Sequence, residues 1–163
     1  MQIRIAEPAD LASIVAIYNQ AVEEQATADT EPLTVEARRS WFDEHAPARR
    51  PILVAQAAGG IAGWAALSDY RAGRRALRHT AEISYYVHRG QRRQGVATRL
   101  VRAAMDLGPA LAVRSLFSVV LDDNAASIRL VESLGFERWG HLPRVADFDG
   151  REVGHLVYGL RLR

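Results

Sequence analysis

The run Arg89-Gly90-Gln91-Arg92-Arg93-Gln94-Gly95-Val96-Ala97-Thr98 places three arginines and two glycines between a strand-like segment and a helical one. Gly95 lets the backbone approach a bound group closely, and Ala97 obstructs that approach with only a methyl. The first N–H groups of a helix lack intrahelical acceptors, and together with the helix dipole they hold an anion such as a pyrophosphate. Arg92 or Arg93 can add a charge-assisted clamp on the same anion. Gln94, Val96 and Thr98 complete the turn. The same run also suits an ordinary glycine-containing start to a basic surface helix. It is neither G-x-G-x-x-G nor G-x-x-x-x-G-K-[ST], so neither the dinucleotide fingerprint nor the Walker A loop applies.

Other chemistries are narrowed by residue type. The chain has no cysteine, which removes disulfides, thiolate nucleophiles and cysteine metal sites. His45, His79, His88, His141 and His155 do not fall at a zinc-ligand spacing, so no metal is expected. No G-x-S-x-G nucleophile turn occurs. A second arginine group, Arg71, Arg74, Arg75 and Arg78, can grip phosphate or carboxylate with paired hydrogen bonds, or can simply face solvent.

The elements that must position these residues follow from periodicity. Ile3 and Ile5 alternate with Gln2 and Arg4 as a first strand. Pro8-Ala9-Asp10 begins a helix whose apolar face is Leu11, Ile14, Val15, Tyr18 and Val22. Residues 25–32 form a polar loop. Thr34 caps a second helix running to about His45. Ile52-Leu53-Val54-Ala55 is a short apolar strand, Gly59-Gly60 a hairpin turn, and residues 61–67 its partner strand. A longer strand spans Ala81 to His88, and a helix from Gly95 to Leu107 carries Val96, Leu100, Val101 and Ala104 on one side. A strand from Ser115 to Leu121 precedes a helix from Asn124 to Leu134. Strands 136–142 and 152–160 close the chain around Asp149-Gly150. The order β-α-α-β-β-β-α-β-α-β-β predicts an α/β fold, a strand-rich sheet covered by a few helices.

The 163 residues suit one domain, 1–163, and no linker or repeat divides them. Composition is that of a soluble folded protein, 48% hydrophobic and 25% charged. No segment approaches the roughly eighteen apolar residues of a membrane span, and the alternating start lacks the apolar core of a secretory signal. A cytoplasmic location is expected. With 21 basic residues against 19 acidic, a small anionic ligand suits the charge better than a long polyanion, and no nucleic-acid partner is expected.

The arrangement resembles the GCN5-related N-acetyltransferases. Their strand is followed by Q/R-x-x-G-x-G/A, matched by Arg92, Gly95 and Ala97. Asn124-Ala125-Ala126-Ser127-Ile128-Arg129-Leu130-Val131-Glu132-Ser133-Leu134-Gly135-Phe136 is similar to the second cofactor-side segment of that family. Ile17-Tyr18-Asn19, Thr30-Glu31-Pro32, Trp41-Phe42 and Thr80-Ala81-Glu82 resemble the phosphinothricin or methionine-sulfoximine acetyltransferase branch. The resemblance implies a mixed, mainly antiparallel sheet with about four helices and a splayed strand pair at the cofactor site. It also implies acetyl-CoA as acetyl donor, an amino-acid-like amine as acceptor, direct transfer, and a homodimer.

Site roles carried by the resemblance are these. Backbone groups of Tyr86, Val87 and His88 pair with the pantetheine arm, which can act as an added strand. The turn from Arg92 to Thr98, including Arg93 and Gln94, wraps the pyrophosphate. Asn124, with Ser127 in the same segment, contacts the cofactor, while Asn124 also suits a helix cap. Glu82 is the base, directly or through one water, or instead orients the ammonium or pairs with an arginine. The Val87 N–H stabilises the oxyanion.

Many family members carry a proton-donating tyrosine where this chain has Val131, and many members of the branch carry histidine there. Val131 does neither, so the thiolate takes a proton from water or another residue, or leaves as an anion. Tyr85 and Tyr86 face opposite ways on a strand. The expected assignment is Tyr86 toward the cofactor and Tyr85 toward core or substrate. His141 is a second candidate shuttle or a structural histidine.

For the acceptor, Arg71 is a carboxylate clamp, a solvated residue, or the partner of Asp69. Glu31 meets the ammonium or shapes the pocket, and Tyr70 takes the place of a tryptophan in the branch. Acetylation of polyamines or of peptide N-termini, and noncatalytic acetyl-CoA binding, are the competing functions.

Overall fold

The computed structural model describes residues 1–162. Seven strands form one sheet in the order β1-β2-β3-β4-β5-β7-β6. They are β1 (Gln2–Ile5), β2 (Ile52–Ala57), β3 (Gly60–Asp69), β4 (Thr80–Val87), β5 (Ser115–Leu121), β6 (Glu137–Phe148) and β7 (Arg151–Arg161). Four α-helices accompany them: α1 (Leu11–Glu23), α2 (Val35–Asp43), α3 (Val96–Leu107) and α4 (Ala125–Ser133). Every neighbouring pair is antiparallel except β4 and β5. The expected α/β architecture and element order are therefore present.

Apolar patterning divides the core into two layers. On one face, Leu53, Ala65, Leu67, Ile83 and Leu116 pack against Leu100, Val101 and Ala104 of α3 and Val131 of α4. On the other, Val54, Trp64 and Ala66 meet Ile14, Ile17, Tyr18 and Val22 of α1. The unbroken apolar run in β2 makes sense because its residues feed both layers. Trp64 is 1% exposed, and its indole N–H donates to the Ile14 carbonyl at 3.0 Å. That bond lets so large a ring be buried without an orphaned donor.

Local signals set the helix starts. The Thr34 hydroxyl accepts from the Ala37 N–H at 3.1 Å, so Thr34 is the expected cap, although α2 ends at Asp43 rather than near His45. Gly63 brings β3 close to both β4 and α3. A Cβ there would stand 2.8 Å from the Tyr86 carbonyl oxygen and 3.0 Å from Val96 Cγ1.

The clearest departure is β6. The sequence reading ends this strand at Leu142, just before Pro143, yet it continues to Phe148. Its register with β7 shifts between Leu142 and Ala146, and Arg144 adopts φ 53°. An edge strand tolerates proline at such an irregularity, because an N–H is not required on its open side. The turn at Asp149-Gly150 is as expected, with both residues at positive φ. No helix among the described residues is long and apolar enough to cross a membrane.

Candidate active site

The parallel pairing of β4 with β5 lasts for three residues, Thr80 with Ser115, Ala81 with Leu116 and Glu82 with Phe117. Both strands continue beyond that point, so they part and leave a gap from Ser84 to Val87 on one side and Ser118 to Leu121 on the other. This is the splayed pair that the family resemblance implies. The His88 N–H donates to the Ala62 carbonyl across β3 at 2.9 Å. Backbone groups alternate direction along an antiparallel ladder, so the Val87 N–H faces the gap.

Glu82, Ser84 and Tyr86 occupy one face of β4; Ile83, Tyr85 and Val87 occupy the other. Glu82 lies across from Ser68 in the register with β3, on the face covered by α1 and α2. Burial raises the Glu82 carboxyl above its usual pKa, and among the described residues no arginine or hydrogen-bond donor meets it.

At the end of the gap, Gly95 caps α3 with φ 76°, the left-handed region that favours glycine. Val96 is buried under the turn, while Ala97 and Thr98 line the cleft. Arg92 is held by Glu24 at 2.6 Å and Arg89 by Glu23 at 2.5 Å. Both acidic partners come from the end of α1. Arg89 and Arg92 are therefore exposed and already engaged with carboxylates.

On α4 the Asn124 side-chain oxygen accepts from the Ser127 N–H at 3.1 Å, so its capping role is real. The Tyr85 hydroxyl donates to Ser127 Oγ at 3.1 Å, and burial pushes its pKa up to about 12. Tyr86 instead packs edge-on against Tyr18, with centroids 4.9 Å apart, and its hydroxyl is 3.3 Å from Thr27 Oγ1. Tyr85 packs against the core layer under α3 and reaches the α4 segment, whereas Tyr86 shares the Glu82 face, and both line the space between the strands. Strand alternation separates the two rings but does not say which helix covers which face.

These elements enclose a cleft of about 1430 Å³. Glu82, Tyr85, Tyr86, Val87, Arg92, Arg93, Gly95, Val96, Ala97, Thr98, Asn124 and Ser127 line it, all of them singled out from sequence. His88, Gln94, Glu31, Tyr70 and Arg71 are not in its lining. The His88 ring accepts from the Gly90 N–H at 3.1 Å. Glu31 is exposed in its loop. Arg71 lies over the Tyr70 ring beside a separate, arginine-lined depression. Asp69, a possible partner for Arg71, is taken by Arg49 and by Arg50 Nε, the latter at 2.8 Å. Tyr70 stacks edge-on with Phe117, the cross-strand partner of Glu82. His141 bonds Asp122 at 3.0 Å, the structural role left open for it.

The sequence reading missed Thr27, Ser118, Arg151 and His155, which also line the cleft. Arg151 reaches Asp123 and donates to the Gln25 side chain at 3.0 Å. Chain separation concealed this link, since 126 positions divide Gln25 from Arg151.

A deep cleft between parting strands, with a basic helix start at one end and an unpaired carboxyl inside, defines an enzyme that handles an anionic cosubstrate. Residues 14–136 match the acetyltransferase (GNAT) family, and the chain belongs to that family. It is 39% identical over 151 residues to an L-methionine sulfoximine/L-methionine sulfone acetyltransferase of Pseudomonas aeruginosa, spanning 91% of this chain and 87% of that protein. It is 35% identical to the L-amino acid N-acyltransferase MnaT of Escherichia coli, spanning 93% and 88%. The structure of yncA from Salmonella typhimurium with its cofactor acetyl-CoA superposes with a TM-score of 0.92 at 31% identity, covering 99% of this chain and 94% of that one.

Proposed function

We propose that this acetyltransferase moves the acetyl group of acetyl-CoA directly to the α-amine of a small amino acid or amino-acid analogue. The observation that carries the reading is Glu82, a half-buried carboxyl with no partner among the described residues, at the point where β4 and β5 part. Relatives that act on methionine sulfoximine and on L-amino acids support the acceptor class.

The residues present suit acetyl-CoA. The Gly95 turn and the first N–H groups of α3 would hold the pyrophosphate, with Arg92 and Arg93 beside them. Val87 and its neighbours offer strand groups to the amide-bearing arm. Asn124 and Ser127 would contact that arm from α4. Acetyl-CoA supplies an already activated acyl group, so no acyl-enzyme is needed.

Glu82 takes the proton from the acceptor amine, directly or through one water, and its raised pKa brings it closer to the ideal for a base at neutral pH. The Val87 N–H faces the charge that develops on the carbonyl oxygen. Arg71 and Tyr70 belong to the acceptor's carboxylate end, supported by the contact of Tyr70 with Phe117 next to Glu82. Glu31 shapes the same side.

The protein acts as a single domain in the cytoplasm and as a homodimer. Trp139, Leu142 and Val145, exposed apolar residues along the edge strand β6, support self-association. Measuring CoA release and acetylated product with amino acids, phosphinothricin, methionine sulfoximine, polyamines and peptides tests the function. The result expected is selectivity for acceptors with adjacent amine and carboxylate. Preference for polyamines or peptides overturns the acceptor class, and binding without turnover overturns catalysis. Mass measurement in solution tests the dimer.

A further inference from the structure

Transfer of an acetyl group from a thioester leaves negative charge on sulfur as well as on the carbonyl oxygen. Glu82 cannot serve the sulfur, because its task is to accept a proton. A donor is needed on the other side of the reacting group.

β4 supplies one. Glu82 and Tyr85 are three residues apart and therefore project from opposite faces of the strand. The Tyr85 ring crosses from the open stretch of β4 to α4, where its hydroxyl meets Ser127 Oγ at 3.1 Å. Both Tyr85 and Ser127 line the cleft. Other rings in the region are differently committed. The Tyr86 hydroxyl lies with Thr27 on the α1 face, and Tyr18 bonds Asp29 there. Val131, one helical turn beyond Ser127, is fully buried and offers no polar atom.

We propose that Tyr85 is a catalytic residue whose hydroxyl donates a hydrogen bond to the departing CoA sulfur; this rests on the transferase reading above. The bond swaps Ser127 Oγ for sulfur as acceptor. The amine nitrogen forms its bond to the acetyl carbon, the carbon–sulfur bond breaks, and its electron pair stays on sulfur. The amine proton goes to Glu82. Burial keeps the phenol protonated at any working pH. Because an alkyl thiol titrates near about 8.5, such a phenol stabilises the thiolate without surrendering its proton. CoA then takes a proton from water.

Tyr85→Phe in the full-length protein tests this. Acetyl-CoA and S-acetylpantetheine both release alkyl thiols, whereas the acetyl thioester of 4-nitrothiophenol releases a much more acidic thiol that needs no help. The expected result is a loss of about 10- to 100-fold in kcat with acetyl-CoA, the size of one hydrogen bond to a charged acceptor. Acetyl-CoA affinity, read by calorimetry, and the melting temperature stay near wild type. The loss in kcat/KM recurs with S-acetylpantetheine and largely disappears with the aryl thioester. Equal losses on all donors, no loss at all, or a loss confined to acetyl-CoA binding overturns the role of Tyr85 alone. A wild-type protein that binds acetyl-CoA but acetylates no amine removes the transferase reading and this role with it.

Discussion

Glu82 and Phe117 are the last residues paired between β4 and β5 before the strands separate. The Glu82 backbone is thereby fixed between two strands at the closed end of the gap, and its half-buried carboxyl lines the cleft. Position and chemistry meet at this point: the carboxyl sits where the cleft begins, and burial raises its pKa there.

Replacing Glu82 with glutamine should lower kcat/KM by about 100- to 10,000-fold, the usual worth of a positioned base. Calorimetric affinity for acetyl-CoA should change little. The wild-type rate should rise with pH through the raised Glu82 pKa, because only the carboxylate accepts a proton, and that rise should vanish in Glu82→Gln. Equal loss of cofactor binding would make Glu82 structural.

Glu82 should also leave a mark on stability. Its folded pKa lies above the unfolded value, so the folded state loses stability as pH rises from the unfolded pKa through the folded one. Glu82→Gln should therefore melt higher than wild type at pH 7, with the advantage fading at pH values below the unfolded pKa. Thermal melts at both ends of this window provide the check. A constant difference across pH would mean that burial is not what shifts the carboxyl.

Two glycines should fail for different reasons. Gly95→Ala has open space but must hold φ 76°, so it should cost about 1–2 kcal/mol and weaken acetyl-CoA binding. Gly63→Ala meets the Tyr86 carbonyl oxygen at 2.8 Å, so it should lower stability by steric displacement. Gly95→Asn, which tolerates the left-handed region better, should recover part of the loss at position 95, whereas Gly63→Ser should recover nothing. Melting curves and calorimetry separate the two cases.

Arg71→Ala should raise KM for amino-acid acceptors by about 10- to 100-fold, the range of a hydrogen bond to a charged group. Amines without a carboxylate should be affected far less. Uniform effects across both acceptor types would release Arg71 from the clamp role and leave it to the Tyr70 ring it covers.

Val131 is 0% exposed within the core layer that includes α3 and Phe136. Val131→Tyr should therefore lower stability by about 1–3 kcal/mol through overpacking, without raising kcat. A faster, equally stable variant would show that position 131 can still reach the leaving group.

The turn at Gly95, the apolar face of α3, the Thr34 and Asn124 caps and the Asp149-Gly150 hairpin were legible from sequence. Each is written in residues only a few positions apart, because helix caps and tight turns are local hydrogen-bonding solutions. Proline hid the second half of β6 because local preference says little about whether a strand lies at an edge. Alternation separated Tyr85 from Tyr86, while the packing of α1 and α4 decided which ring faced which helix. The meeting of Glu82 with Phe117, the solitude of that carboxyl, and the reach of Arg151 to Gln25 came only with the tertiary structure. They depend on segments brought together across the chain, where desolvation and pairing are set by neighbours that no local spacing specifies.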